Sequence, residues 1–219
     1  MCFSATASIA AGGFLLGVGT MTLKTARSAR QVPFAAIPLL FAIQQLSEGV
    51  IWWTFSHDAP LLNGVMTHVY SFFSHVLWPV YIPLAVLLME PPGWRRTALG
   101  AVFAIGVAVG AYLLYVLVAF PVVSQPVGRH IEYVSPHFFA TLTMTLYLLA
   151  TTASLLLSAH PRVRVFGVAS VLALAAAYAF YARWFISVWC FLAALLSVLV
   201  FFHLARLPMS GNRRQLQRN

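Results

Sequence analysis

Acidic side chains are almost missing from this sequence: Glu48, Asp58, Glu90 and Glu132 are the four in 219 residues. Charge of either sign is scarce, at 8 % of the chain, where a soluble domain carries about 25 %. So few charges cannot cover a water-facing surface, and a soluble globular fold is excluded. Lysine occurs once, as Lys24, and twelve arginines make up the rest of the basic set. No apolar run contains a lysine, which excludes a Schiff-base retinal pigment. The two cysteines, Cys2 and Cys190, form no CxxC pair and no CxxCH haem-attachment site, and no glycine-rich phosphate loop is present. Seven-helix zinc hydrolases of the alkaline ceramidase type share the topology. Their intramembrane Asp and the paired histidines of their last helix have no counterpart here.

What the chain has is apolar length. Hydrophobic residues make up 61 % of it and its mean hydropathy is +0.88. About 20 apolar residues cross the hydrocarbon core. Seven stretches qualify, near 5–23, 33–55, 64–89, 97–123, 137–158, 164–182 and 185–205. The expected fold is an all-α integral membrane protein, a seven-transmembrane-helix bundle forming one domain over 1–205 with a basic tail over 206–219. Pro33 suits the first turn of the second helix, Ser135-Pro136 reads as the start of the fifth, and Trp78-Pro79 with Pro83 predicts a kinked third helix with freed carbonyls. Gly13 and Gly17, and again Gly106 and Gly110, have the spacing of close helix–helix contacts.

Basic residues set the orientation. Eleven fall on one side: Lys24, Arg27, Arg30, Arg95, Arg96, Arg162, Arg164, Arg206, Arg213, Arg214 and Arg218. The other side has Arg129 and Arg183. The N-terminus is expected outside and the C-terminus in the cytoplasm, with the tail against anionic lipid headgroups or simply solvated. The net charge of +9 is explained by this topology without a nucleic-acid partner. The first helix has its basic residues after it, the reverse of a signal peptide. Arginine in place of lysine, with abundant Ala and Val, points to a GC-rich bacterial genome and so to a bacterial plasma (inner) membrane.

Glu48 is the one acidic residue inside an apolar run. A carboxylate at that depth costs several kcal/mol unless paired, protonated or wet, and marks a candidate functional site. With about 1.5 Å of rise per residue, Glu48 lies roughly 22 Å above Pro33, His75 the same distance above Glu90, and Cys190 about 24 Å above Arg206. Tyr112 and Tyr178 fall at roughly 21–24 Å by the same rule. One outer-half layer of polar groups is therefore expected, with Glu48 at the floor of an outward-facing pocket and nothing comparable in the inner half. Gln44, Gln45, Glu48, Trp78, Tyr178 and Trp189 are its candidate ligand-binding residues. Helix–helix hydrogen bonding is the plainer role for Glu48 and its glutamines. Arg183 is a candidate counter-charge. His75 with His68, seven residues earlier, suggests metal or haem ligation, although a lone helical histidine more often packs. His137 reads as interfacial, and His203 as snorkelling to the inner face.

For the cysteines three readings stand open. Cys2 and Cys190 form a disulfide over the pocket, or they join His75 and Glu48 around a metal ion, or both stay unpaired.

The opening Met1-Cys2-Phe3-Ser4-Ala5-Thr6-Ala7-Ser8 resembles the start of a family of uncharacterised bacterial polytopic membrane proteins. Gln44-Gln45-Leu46-Ser47-Glu48-Gly49, Trp78-Pro79 and Ser187-Val188-Trp189-Cys190 resemble that family too, and the likeness runs along essentially the whole chain. The resemblance implies a membrane bundle and no particular activity, substrate or cofactor. Three function classes follow from the residues. The first is binding of a metal ion, haem or small ligand in sensing, transport or redox work. The second is a metal-dependent intramembrane enzyme with Glu48 as catalytic general base, and the third a structural or assembly subunit.

Overall fold

A computed structural model of the chain describes residues 4–136, 139–181 and 184–205. Seven helices are long and apolar enough to cross a membrane, and the protein is a multi-pass membrane protein. They are α1 (Ala5–Thr25), α2 (Ala29–His57), α3 (Pro60–Met89), α4 (Trp94–Ala119), α5 (Ala140–Leu157), α6 (Pro161–Tyr181) and α7 (Phe185–Leu196 continuing as Val198–Ala205). The helix form follows from the solvent: hydrocarbon offers no partner for backbone N–H and C=O groups, so each span must satisfy its own.

The all-helical expectation fails at one connection. Between α4 and α5 the chain forms an antiparallel hairpin, β1 (Val123–Val127) and β2 (His130–Val134). The fourth apolar stretch was expected to stay helical to residue 123, but α4 ends at Ala119. Pro121 explains the early stop, since it lacks an N–H and disfavours helical geometry in the residue before it. Gly128, with φ +61°, takes the first of the two turn residues, where a tight hairpin needs a left-handed conformation. The fifth helix also starts later than Ser135-Pro136 suggests, at Ala140, behind Phe139 with φ +53°.

Helix α2 is the inner helix. Of its apolar window 67 % is buried, against 28 % for α1, α4 and α5, because Gln44, Gln45, Ser47, Glu48 and Thr54 are all buried and turn away from lipid. It packs along α1, at the start of α3 and against α7, while α3 pairs with α4 and α6 with α7. The α1–α2 seam is made by small residues, but not the expected pair. Gly13 and Gly17 face open space. Gly12 lies against Leu46, Gly19 against the Leu39 backbone, and Gly49 against Ile9. The buried α1 residues Ser8, Gly12, Leu15, Gly19 and Thr22 form one stripe at three- and four-residue steps, and Gly13 and Gly17 fall off it. Gly106 and Gly110 do sit at a contact, under the Pro79 carbonyl and against Val80.

The prolines of α3 explain how its neighbours attach. Residues Phe72–Leu77 form a π-helical turn within the span, and the Trp78 N–H bonds the Phe73 carbonyl five residues back. The next carbonyl in that register, Ser74, would need the N–H that Pro79 lacks. Tyr147 of α5 fills the vacancy, its hydroxyl donating to the Ser74 carbonyl at 2.6 Å. One turn on, Pro83 likewise frees the Pro79 carbonyl, and Gly106 lets α4 close over it.

The half of the bundle away from the hairpin, expected to hold no comparable polar groups, is not empty of them. Glu90 is 2 % exposed, and its carboxylate accepts from the Ala159 N–H at 2.8 Å and the Ser158 hydroxyl at 3.1 Å. His203 is buried rather than snorkelling, its ring set edge-on to Phe34 and His160. Glu90 is held by a backbone N–H and a hydroxyl at a span end and His203 by ring contacts, neither of which hydropathy along the chain registers.

Candidate functional site

Glu48 is fully buried at the hairpin half of α2. Its Oε1 accepts a hydrogen bond from the Tyr133 hydroxyl at 3.4 Å. Tyr133 stands on β2, and its ring stacks on Tyr70 of α3 with centroids 4.5 Å apart and planes within 7°. Ile51, Tyr70 and Ile131 form a separate small apolar core beneath the hairpin. A polar chain fixes the other strand: Thr67 Oγ1 donates to Ser124 Oγ at 2.8 Å, Ser124 Oγ to Asn63 Oδ1 at 3.0 Å, and Asn63 Nδ2 to Thr54 Oγ1 at 2.8 Å. The hairpin is therefore docked on α2 and α3 by both apolar and polar contacts, and it delivers Tyr133 to the carboxylate.

Beside this contact lies a cavity of about 300 Å³, at the small end of the range for ligand pockets. Its wall combines the α3 π-turn, α4, the hairpin, α5 and the start of α7, with Tyr70, His75, Tyr112, Tyr133, Tyr147 and Trp184 among the lining side chains. The His75 Nδ1 lies 2.8 Å from Ser74 Oγ and 3.1 Å from the Ser71 carbonyl, so the π-turn orients the ring. Glu48 is not in the wall; it stands behind Tyr133.

The remaining candidates divide between the two. Trp78 stacks on Phe41 at 3.9 Å and donates through Nε1 to Gln44 Oε1 at 2.7 Å. Cys190 on α7 is buried and free. Trp189 donates to the Ser170 carbonyl at 3.0 Å, tying α7 to α6. Gln45 is fully buried with neither amide atom hydrogen-bonded among the described residues. Tyr178 is 64 % exposed on α6, away from the cavity wall. His68 is exposed and caps the Gly64 carbonyl. Cys2, His137, Arg183 and the tail 206–219 lie outside the described residues. Among the described residues no three His, Cys, Asp or Glu side chains converge as a metal site would require.

Sequence reasoning missed Tyr133, Tyr70 and Tyr147. Tyr70 sits five residues before His75, and Tyr133 alternates with Ile131 along a strand. That period-two pattern next to Gly128-Arg129 was the available signal.

These residues belong to a defined group of sequences. A family model described as a family of unknown function (DUF6629) matches residues 1–215. The chain belongs to that family. No curated protein and no solved structure matches it. The matched range takes in every residue of the cavity wall, so the site lies within the family's own domain.

Proposed function

We propose that this family member is a ligand-binding membrane protein, taking a small and mostly apolar molecule into the cavity beneath the hairpin for sensing or transport. The observation that carries this reading is the cavity itself, about 300 Å³, built from four helices and a hairpin with Tyr133 linking its wall to buried Glu48. A helix bundle needs no such space for stability, since unfilled volume costs packing energy. The hairpin end is assigned to the outside by the distribution of basic residues, and the membrane to a bacterial plasma membrane. In this reading Glu48 acts through Tyr133 as a positioning residue. The metal-dependent enzyme is not carried forward, because Glu48 stands behind the wall and the described His, Cys and acidic side chains do not converge.

A thermal-shift screen of small amphiphiles on protein in nanodiscs tests the proposal. Ligands that raise Tm for the wild type should lose that effect when Ala140→Trp, at the rim, or Thr143→Trp, one turn deeper, fills the cavity. At a hundred times Kd the expected stabilisation is about 2.7 kcal/mol. Stabilisation that persists in both filled variants would place binding elsewhere and sink the reading.

A further inference from the structure

Resting on that reading of the cavity, we propose that its ligand class is a small organic cation, a tertiary or quaternary amine in place of an anion or a neutral molecule. Five aromatic rings line the space: Tyr70, Tyr112, Tyr133, Tyr147 and Trp184. Ring faces carry negative potential and attract a desolvated ammonium. Glu132 is the acidic residue among the described lining, its carboxylate accepting from Gln125 Nε2 at 2.9 Å, and no Lys or Arg among the described residues lines the space. An anion would meet aromatic rings and an acidic residue, and His75, the basic side chain among the described lining residues, is turned to Ser71 and Ser74.

The tyrosine hydroxyls sharpen the choice. Tyr147 donates its proton to the Ser74 carbonyl and Tyr133 donates toward Glu48. A phenol that donates to a carboxylate becomes more electron-rich, so Glu48 strengthens the Tyr133 ring as a cation-binding face without touching the ligand. Tyr70 stacks on that ring and holds it in place. A primary ammonium needs an acceptor for each of its three donors, and the lining is mostly apolar. An alkylated nitrogen, whose charge is spread over methyl groups and whose desolvation costs less, suits rings better.

The test compares benzyltrimethylammonium with its uncharged carbon isostere, neopentylbenzene, by ligand-observed NMR on protein in nanodiscs, with empty nanodiscs subtracted. The cation is expected to bind at least about ten-fold more tightly than the isostere, in line with a desolvated cation–π contact. Tyr133→Leu should weaken the cation by about ten-fold and leave the isostere within about two-fold. Tyr133→Phe keeps the ring but loses the link to Glu48, and should weaken the cation by about three-fold. Equal binding of both probes, abolished by Ala140→Trp, would overturn the cation class while leaving the cavity as a ligand site. Failure of both probes to bind would overturn the site and the class together. Cation binding unchanged by Tyr133→Leu and by Ala140→Trp would overturn the class at this cavity.

Discussion

Two buried carboxylates, one toward each end of the bundle, are held in different ways. Glu90 is bound by short contacts from the Ala159 N–H and the Ser158 hydroxyl at the start of α6, and Arg96 donates to its backbone carbonyl at 3.2 Å. Orphan N–H groups and the helix dipole at that position favour a negative charge. Glu48 is reached at 3.4 Å by a phenol whose ring forms part of a cavity wall. The first arrangement staples the α3–α4 turn to the α5–α6 turn. The second ties a carboxylate to a surface that a ligand can touch. Burial alone therefore does not mark function; what distinguishes the sites is whether the donors are backbone or cavity wall.

The same substitution at both sites is the largest test of this comparison. Glu90→Gln puts an amide NH2 against an N–H and a hydroxyl that need acceptors, and should cost about 2 kcal/mol of stability. Glu48→Gln keeps nearly the same volume and an acceptor oxygen for the Tyr133 hydroxyl, and should stay within about 0.5 kcal/mol of the wild type. Thermal unfolding of the two variants in one detergent checks the order. Equal losses, or a greater loss at Glu48, would break the distinction.

Tyr147→Phe comes next. It leaves the Ser74 carbonyl buried without the donor that Pro79 cannot supply, at a cost of about 1–2 kcal/mol. Faster hydrogen exchange should appear along Phe72–Leu77 and not near Glu90. Exchange that rises equally at both ends would show that the π-turn is not a local element. Tyr133→Phe should be milder, about 0.5 kcal/mol, because the bond it removes is long. A loss as large as that of Tyr147→Phe would show that the Tyr133–Glu48 contact staples the fold, as the Glu90 contacts do.

These contrasts show what could be read from the chain and what could not. Span number and most limits followed from apolar length and from Pro33, and Glu48 stood out because a charge inside such a run is costly. The depth count brought Glu48, His75, Tyr112 and Cys190 into one half of the bundle. It could not tell the faces of a helix apart, so Tyr178 was grouped with them although it points outward. Gly13 and Gly17 misled for the same reason: spacing gives a stripe and leaves open which stripe meets the neighbour. The Glu90 staple and the hairpin were hidden because both lie in connections, where tertiary partners decide the structure and periodicity is short. Tyr147 could be connected to Pro79 only once the π-turn register was known.

The smallest expected effect concerns the hairpin alone. His130 stacks on Trp184 with ring centroids 4.4 Å apart, outside the spans. Burial lowers its pKa from the usual 6.5, and nearby positive charge, Arg129 included, lowers it further. The undocked hairpin thus binds a proton at a higher pH than the docked one. Docking stability is fully present above pH 6.5 and falls as pH drops from there toward the lowered pKa. Hydrogen exchange over residues 123–134 should accelerate modestly from pH 7.5 to pH 5 after correction for the intrinsic rate, while exchange near Glu90 stays level. His130→Phe keeps a ring on Trp184 but cannot titrate, and should flatten the profile. An unchanged pH response in that variant would assign the sensitivity to another group and separate the His130–Trp184 stack from control of the cavity wall.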